Sequence, residues 1–331
     1  MKTVHGGARV SVRTEFWDGV PGGVDSDDAG RFVRRDSIFR RWVTSDPDAE
    51  FPAEPGRYHL YVSLGCPWAN RTVTIRALKG LEDVVGLSIV DPIRDVRGWA
   101  FREGPGATGD PINGFEYLSE AYQRSLPGYD DRVSVPVLWD CATGQIINNE
   151  SSEIIVMLDG AFNEWAAHPE VDLYPQELRA EIDEINDWVY SGLNNGVYRV
   201  GFAASQAAYD EAIGPLFDTL DRIDSLLGER RYLAGSQQTL ADWRAFPTLM
   251  RFDLVYHGLF RANRRRLIDY PNIWPYLRDL YQTPRVAPTV DFGHFIRGYN
   301  LNVPQLNPAG IIPVGPELDF WEPHGRERLG G

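Results

Sequence analysis

A strand that leads directly into a helix limits the folds open to this chain more than any other feature of its sequence. Residues 58–63 form a run of aromatic and branched residues that is typical of a β-strand. A Leu-Gly pair breaks this run, and Pro67 then opens a helical pattern that continues to about Lys79, because proline suits the first position of a helix. Residues 84–90 form a second apolar strand. The order strand, helix, strand predicts a small α/β domain.

Later patterns divide the chain further. Residues 117–126 have a helical pattern, and another helix begins near Glu150. Between them, residues 132–139 and 145–147 are typical of the two strands of a hairpin. From about residue 175 onward, apolar residues recur at helical spacing. We therefore expect, in chain order, an extended arm at 1–50, an α/β domain at 51–165, an all-helical domain at 170–299 and an irregular tail at 300–331.

Composition argues against several classes of protein. The 331 residues carry a net charge of −14, which disfavours general binding to nucleic acids or anionic membranes. No stretch approaches the ~18 uninterrupted apolar residues of a membrane span, and the N-terminus lacks the apolar core of a secretion signal. The 2 cysteines exclude a disulfide scaffold and fit a reducing cytoplasm. The 6 histidines show no metal-ligand spacing, so we expect no metal.

Cys66, at the start of the first predicted helix, is the residue best suited to chemistry. The first N–H groups of a helix have no acceptor within the helix, and the macrodipole places partial positive charge at the same end. Both effects stabilise a thiolate, so we expect the pKa of Cys66 to lie below the free value of ~8.5. The alternative is a buried structural cysteine, which Pro67 disfavours because it fixes the geometry of the helix start.

Pro136 stands between two strand-like valines, which is unfavourable in a central strand. A cis bond before Pro136, at a strand start, would present the Val135 backbone to a peptide-like ligand. The alternative is a proline in an edge strand.

Glu150 and Ser151 precede another helix. The free N–H groups of that helix start, together with the hydroxyl, suit a carboxylate. The alternative is ordinary N-capping.

A redox cysteine, a proline at a strand start and a Glu-Ser helix start, in this order, resemble the thioredoxin-like domain of the glutathione transferase superfamily. The resemblance is closest to the Xi class, the glutathionyl-hydroquinone reductases, and covers residues 30–316. It is carried by GRFVRRDSIFRRWV, CPWA, GWAF, NNGVYR and RFDLVY. The resemblance implies the glutathione transferase fold, with an α/β thioredoxin-like N-terminal domain and an all-α C-terminal domain. It also implies a homodimer.

The resemblance implies roles for the matching residues. Cys66 corresponds to the nucleophile of the family, and Trp99 to the tryptophan that packs on the thiol tripeptide. Glu150 and Ser151 correspond to the pair that holds the γ-glutamyl end of that tripeptide. The residues that would hold its backbone are Arg132, Val133, Ser134 and Val135.

Three tyrosines complete the implied site. Tyr198 corresponds to the proton donor and acceptor of the family, while Tyr256 and Tyr299 correspond to tyrosines that lower the pKa of the cysteine. The residues alone would leave most of the 15 tyrosines of the chain as packing residues.

The implied reaction is reductive deglutathionylation. The Cys66 thiolate attacks the sulfur of a glutathionyl-hydroquinone, Tyr198 protonates the departing aryl carbon, and a second thiol resolves the mixed disulfide. The expected partners are an aromatic glutathionyl conjugate and a small-molecule thiol, either glutathione or a related cosubstrate such as γ-glutamylcysteine, with no tightly bound cofactor. Two alternatives stay open: a broader glutaredoxin-like thiol transferase, and a non-catalytic ligand-binding protein on the same fold.

Overall fold

A computed structural model describes residues 25–329 of the chain. Its strands are, in chain order, β1 (Tyr58–Val62), β2 (Gly86–Ile89), β3 (Glu103–Gly104), β4 (Ala107–Thr108), β5 (Val137–Asp140) and β6 (Gln145–Asn148). Four of them form one sheet in the order β2-β1-β5-β6, while β3 and β4 form a separate short hairpin. β1 is parallel to β2 and antiparallel to β5, and β5 is antiparallel to β6. Every residue of β1 is buried, as its central position requires.

Helices surround this sheet and then form the second half of the chain. They are α1 (Pro67–Lys79), α2 (Leu118–Ser125), α3 (Ser151–Gly160), α4 (Arg179–Val189), α5 (Gly196–Gly201), α6 (Gln206–Glu229), α7 (Leu240–Arg251), α8 (Ile273–Gln282) and α9 (Phe292–Asn302). α1 packs against α3 within the α/β part and against α7 of the helical part. One apolar core runs through both parts. The predicted fold class, an α/β thioredoxin-like unit followed by an all-helical unit, is confirmed.

One detail differs from the sequence analysis. The chain was expected to be irregular after Tyr299, but α9 continues to Asn302. Contacts beyond local sequence hold these last residues in the helix, because the Asn302 side chain bonds the Arg94 N–H and the Pro92 carbonyl. The predicted extended arm at 1–50 is described only from residue 25, and its first 24 residues lie outside the described part.

The described part of the arm lies against the outer edge of the sheet. The Arg41 N–H donates to the Ile147 carbonyl at 3.1 Å, and the Asn149 N–H donates to the Phe39 carbonyl at 3.0 Å. Val43 is buried. These contacts bring the residues before Phe39 to the start of α3, where the Glu-Ser pair lies.

His59 in β1 makes the stability of the fold dependent on pH. Its side chain is buried, and its Nε2 lies 2.8 Å from the Ser88 Oγ of β2. Burial lowers its pKa from 6.5 to about 4, so the unfolded chain binds a proton more readily than the folded one. The contribution to stability is therefore complete above the unfolded pKa and is lost as the pH falls through this interval.

We expect the wild type to lose roughly 3 kcal/mol more stability than His59→Gln on acidification across this interval. The free energy of unfolding, measured with urea at a series of pH values, checks this. Parallel pH curves for the two proteins would contradict it.

Candidate active site

Cys66 lies where the sheet, the first helix and the cis-proline strand meet. Its extended backbone forms the N-cap of α1, with Pro67 as the first helical residue. Its carbonyl accepts the Asn70 N–H at 3.0 Å. The Cys66 Sγ lies 3.7 Å from the Val135 carbonyl oxygen, and the Val135–Pro136 bond is cis, as the sequence predicts. The thiol therefore stands beside free helix N–H groups and a backbone carbonyl.

A buried arginine of the helical part holds the loop in front of Cys66. Arg251, the last residue of α7, donates from Nε to the Gly65 carbonyl at 2.9 Å and from Nη2 to the Leu64 carbonyl at 2.7 Å. Its Nη1 lies 3.3 Å from the Asn70 Oδ1 in α1. Burial lowers the pKa of Arg251, but a guanidinium remains charged at neutral pH. This residue thus fixes the approach to Cys66 and adds positive charge near it.

Two neighbouring clefts open around this position. The cysteine cleft, an open space of about 440 Å³, is lined by Cys66, Trp99, Tyr198 and Tyr299 among others. The polar cleft, of about 530 Å³, is lined by Arg132, Ser134, Val135, Glu150 and Ser151 among others. Arg34 and Trp68 line both clefts.

The three tyrosines singled out in the sequence form a chain of hydroxyl groups. The Tyr299 hydroxyl lies 2.7 Å from that of Tyr198 and 2.9 Å from that of Tyr256. Burial raises the pKa of Tyr256 to about 12 and those of Tyr198 and Tyr299 well above the usual value. All three are therefore protonated at neutral pH, and each can pass a proton to the next. Tyr198 and Tyr299 line the cysteine cleft, whereas Tyr256 is buried behind them.

The Glu150 side chain is ionised and can bind a positively charged group. Its Oε1 accepts from the Ser152 N–H at 3.0 Å, and the Ser37 hydroxyl of the arm donates to its Oε2 at 3.3 Å. Burial opposes ionisation, but the bonds from Ser152 and the charge of Arg71 together hold the pKa of Glu150 below its usual value. Glu150 is thus a carboxylate at neutral pH, suited to an ammonium group.

Ser151 is oriented by a buried arginine of α1. Arg71 Nη1 lies 3.3 Å from the Ser151 Oγ, and its Nη2 lies 2.9 Å from the Asn194 Oδ1 of the helical part. The guanidinium also stacks on Trp68, 4.6 Å from the ring centroid. The positive charge of Arg71 therefore lies next to the Glu150–Ser151 pair and stabilises the Glu150 carboxylate.

The residues before the cis proline differ in what they can offer. The Tyr122 hydroxyl accepts from the Ser134 N–H at 3.1 Å and donates to the Ser134 carbonyl at 2.7 Å, so the backbone of Ser134 is already bonded within the protein. Val135 keeps its carbonyl beside the Cys66 thiol. Val133 is buried and is not among the described residues that line the two clefts.

Sequence reasoning missed several polar and charged residues of this site. Arg34 and Ser37 come from the arm segment quoted for the family resemblance, but neither received a role. Arg251 belongs to another quoted segment and Arg71 to the first predicted helix, and neither received a role. Arg71 and Arg251 are buried inside helices, an unusual position for arginine that no local sequence pattern marks.

No metal site or membrane span is evident among residues 25–329. Their histidine, cysteine and acidic side chains form no group that could hold a metal ion. None of their helices is long and apolar enough to cross a membrane.

The chain matches two models of one protein family. Residues 65–161 match the glutathione S-transferase N-terminal domain, and residues 206–279 match the C-terminal domain. The two matches together contain Cys66 and most of the polar cleft.

Relatives over nearly the full length give the same result. The chain is 47% identical over 305 residues to glutathionyl-hydroquinone reductase YqjG of Escherichia coli, covering 90% of this chain and 93% of the relative. It is 50% identical over 287 residues to glutathionyl-hydroquinone reductase PcpF of Sphingobium chlorophenolicum, covering 87% and 90%.

Solved structures share the fold. A Xi class glutathione transferase from Natrialba magadii superposes with a TM-score of 0.87 at 49% identity, over 88% of this chain and 89% of that one. The glutathione-bound structure of YqjG superposes with a TM-score of 0.85, over 88% of this chain and 96% of that one.

Proposed function

This chain belongs to the glutathione transferase family, within its Xi class of glutathionyl-hydroquinone reductases, and we propose that it uses Cys66 to release hydroquinones from their glutathionyl conjugates. The observation that carries the proposal is the position of one thiol, which lines the cysteine cleft and lies 3.7 Å from the carbonyl oxygen of Val135 in the wall of the polar cleft. The polar cleft suits a γ-glutamyl peptide, and the aromatic cysteine cleft, with its chain of hydroxyls, suits a hydroquinone ring. A glutathionyl-hydroquinone would place its sulfur at the junction, beside Cys66.

The glutathionyl part would lie in the polar cleft. Glu150 and Ser151 would receive its α-ammonium and α-carboxylate groups, because they combine an ionised carboxylate with a hydroxyl and a helix start. Arg132 and the backbone of Val135 would hold the rest of the peptide. Trp99, which lines the cysteine cleft with Cys66, would pack against its thiol end.

The Cys66 thiolate would then attack the glutathionyl sulfur. A sulfur–sulfur bond forms, the carbon–sulfur bond breaks, and its electron pair is released into the aryl ring. Tyr198 supplies the proton that this carbon needs, and the Tyr299 hydroxyl, 2.7 Å away, can donate to the Tyr198 oxygen as the proton departs. Tyr256 can support Tyr299 in the same way.

A second thiol would complete the cycle by attacking the mixed disulfide on Cys66. The position three residues after Cys66 is Ala69, so the chain has no neighbouring cysteine with which to resolve the disulfide itself. Glutathione is the cosubstrate that the family supports, and γ-glutamylcysteine would also satisfy Glu150 and Ser151. A homodimer and a cytoplasmic location remain predictions from the resemblance and the composition.

Release of free hydroquinone from a glutathionyl-hydroquinone tests the proposal. We expect steady turnover, with glutathione and γ-glutamylcysteine compared as second thiols to identify the better one. Reduction of glutathione mixed disulfides without attack on the aryl thioether would instead indicate a broader thiol transferase. Binding of the conjugate without either reaction would indicate a ligand-binding protein.

A further inference from the structure

Arg34 lies where the two clefts meet and has no acidic partner among residues 25–329. The other arginines in the described part of the arm are paired. Arg31 Nε lies 2.8 Å from Glu211, Arg35 Nε lies 2.7 Å from Asp25, and Arg40 binds Glu153. Within residues 25–329, no carboxylate lies within ion-pair distance of Arg34. The chain carries 47 acidic residues, so the absence of a partner here is a property of the site and not of the composition.

The Arg34 guanidinium is held among aromatic rings. Its Cζ lies 4.8 Å from the Trp68 ring centroid, 4.7 Å from that of Tyr198 and 5.2 Å from that of Phe32. A single hydrogen bond, from Nε to the Asn195 Oδ1 at 2.9 Å, fixes its plane.

The two terminal nitrogens of Arg34 remain unused. Neither Nη1 nor Nη2 has a hydrogen-bond partner among the residues that the structure describes, and Nη2 is buried. Arg34 as a whole is half-buried, but a terminal N–H group that is shielded from water without an acceptor is unfavourable until an acceptor arrives. The arrangement therefore indicates that the Arg34 guanidinium can donate hydrogen bonds to an oxygen atom of a ligand.

We propose that Arg34 binds the ring oxygen next to the carbon–sulfur bond of the substrate, so that the enzyme requires aryl thioethers with a hydroxyl at that position. This inference rests on the proposed function. Arg34 contacts the face of Tyr198, which serves the carbon that carries the sulfur. The oxygen on the adjacent ring carbon therefore lies nearest to the guanidinium. Arg94, the other arginine of the cysteine cleft, instead stacks on Trp99 at 5.0 Å.

The charge on this oxygen changes during the reaction. Tyr198 protonates the ring carbon that bears sulfur while the adjacent hydroxyl returns a proton to the tyrosine chain, which gives a ring ketone. Cys66 attacks the glutathionyl sulfur, and the carbon–sulfur bond breaks. Its electron pair restores the aromatic ring and leaves the negative charge on the former ketone oxygen. Arg34 stabilises this phenolate until water protonates it. The carbon is reduced by the two electrons that the two sulfurs give up on forming a disulfide.

Two reactions of the same cysteine test the proposal. One is release of hydroquinone from a glutathionyl-hydroquinone, and the other is reduction of the mixed disulfide of glutathione and mercaptoethanol, which has no ring oxygen. We expect Arg34→Gln to lower kcat/KM for the thioether about 100-fold, as for other donors to a developing oxyanion. The rate of the disulfide reaction should fall less than about fivefold. Arg34→Lys should recover part of the thioether rate, because lysine restores the positive charge but not the paired N–H donors of a guanidinium. Arg31→Gln, from the same arm, is the matched control and should leave the ratio of the two rates unchanged.

Each other outcome has a definite meaning. An equal fall in both reactions would overturn the proposal, because it would show that Arg34 holds the thiol. An unchanged thioether rate in Arg34→Gln would also overturn it. A wild type that reduces the disulfide but not the thioether would overturn the proposed function together with this inference.

The ionisation of a bound phenol shows whether Arg34 acts on the phenolic oxygen through its charge or only through its shape. Para-nitrophenol changes colour when it ionises, and the wild type should bind its phenolate form. We expect the pKa of the bound phenol to lie about one unit lower in the wild type than in Arg34→Gln. Equal values would contradict a contact between Arg34 and the phenolic oxygen.

Discussion

Cys66→Ser is expected to lower the release of hydroquinone at least ~10⁴-fold, as the loss of a nucleophile does in other covalent mechanisms. A serine hydroxyl is not ionised at neutral pH and cannot form a disulfide with the glutathionyl group. The side chains are similar in size, so the N-cap of α1 and the bond network of Arg251 should remain in place. Steady-state release and the thermal unfolding midpoint, measured on the same preparation, separate loss of chemistry from loss of fold.

A single turnover without a second thiol sharpens the test. The wild type should release one equivalent of hydroquinone and gain the mass of one glutathionyl group. Cys141→Ser is the matched control, because Cys141 is the other cysteine and lies exposed in the turn between β5 and β6. It should behave as the wild type. A Cys66→Ser protein that still gains a glutathionyl group, or a Cys141→Ser protein that does not, would contradict the assignment of the nucleophile.

The second large effect is expected from Tyr198→Phe. The substitution keeps the ring that stacks near Trp68 but removes the proton donor, and we expect kcat for the glutathionyl-hydroquinone to fall about 10²–10³-fold. Reduction of a glutathione mixed disulfide should fall far less, because a departing thiolate needs no proton on carbon. Tyr299→Phe breaks the chain of hydroxyls one step further away and should cost about 10-fold on the thioether.

The control for these tyrosines is Tyr209→Phe. The Tyr209 hydroxyl also donates a hydrogen bond, to the Arg261 carbonyl at 2.9 Å, but it lines neither cleft. It should retain the wild-type rate on both substrates. If Tyr198→Phe slowed both reactions equally, Tyr198 would be acting through binding or structure and not as the proton donor.

The sequence predicted those parts of the site that depend on neighbouring residues. Cys66, Pro136 and Glu150 each stand at the start of a helix or strand, and a start is recognisable from a few consecutive side chains. The fold class followed from the order of such elements. The three tyrosines came from the family resemblance, because nothing local distinguishes a tyrosine whose hydroxyl meets another more than 40 residues away.

The arginines could not be predicted for the same reason. Arg34 acquires its surroundings from the first helix and from α5, and Arg251 bonds carbonyls that precede it by more than 180 residues. An arginine in a sequence most often lies at the surface. Only the packing of distant elements shows which arginine side chains are buried and which have no carboxylate partner.

The hydrogen bonds of Arg251 also affect how the α/β part and the helical part can separate. The carbonyls of Leu64 and Gly65 are in the α/β part, and their donor belongs to the helical part. If the two parts separated, these buried carbonyls and the guanidinium would lose their partners together, and the loop before Cys66 would lose its support. Local opening between the two halves is therefore coupled to loss of the reactive geometry. The nucleophile therefore has its working arrangement only while the two halves are docked.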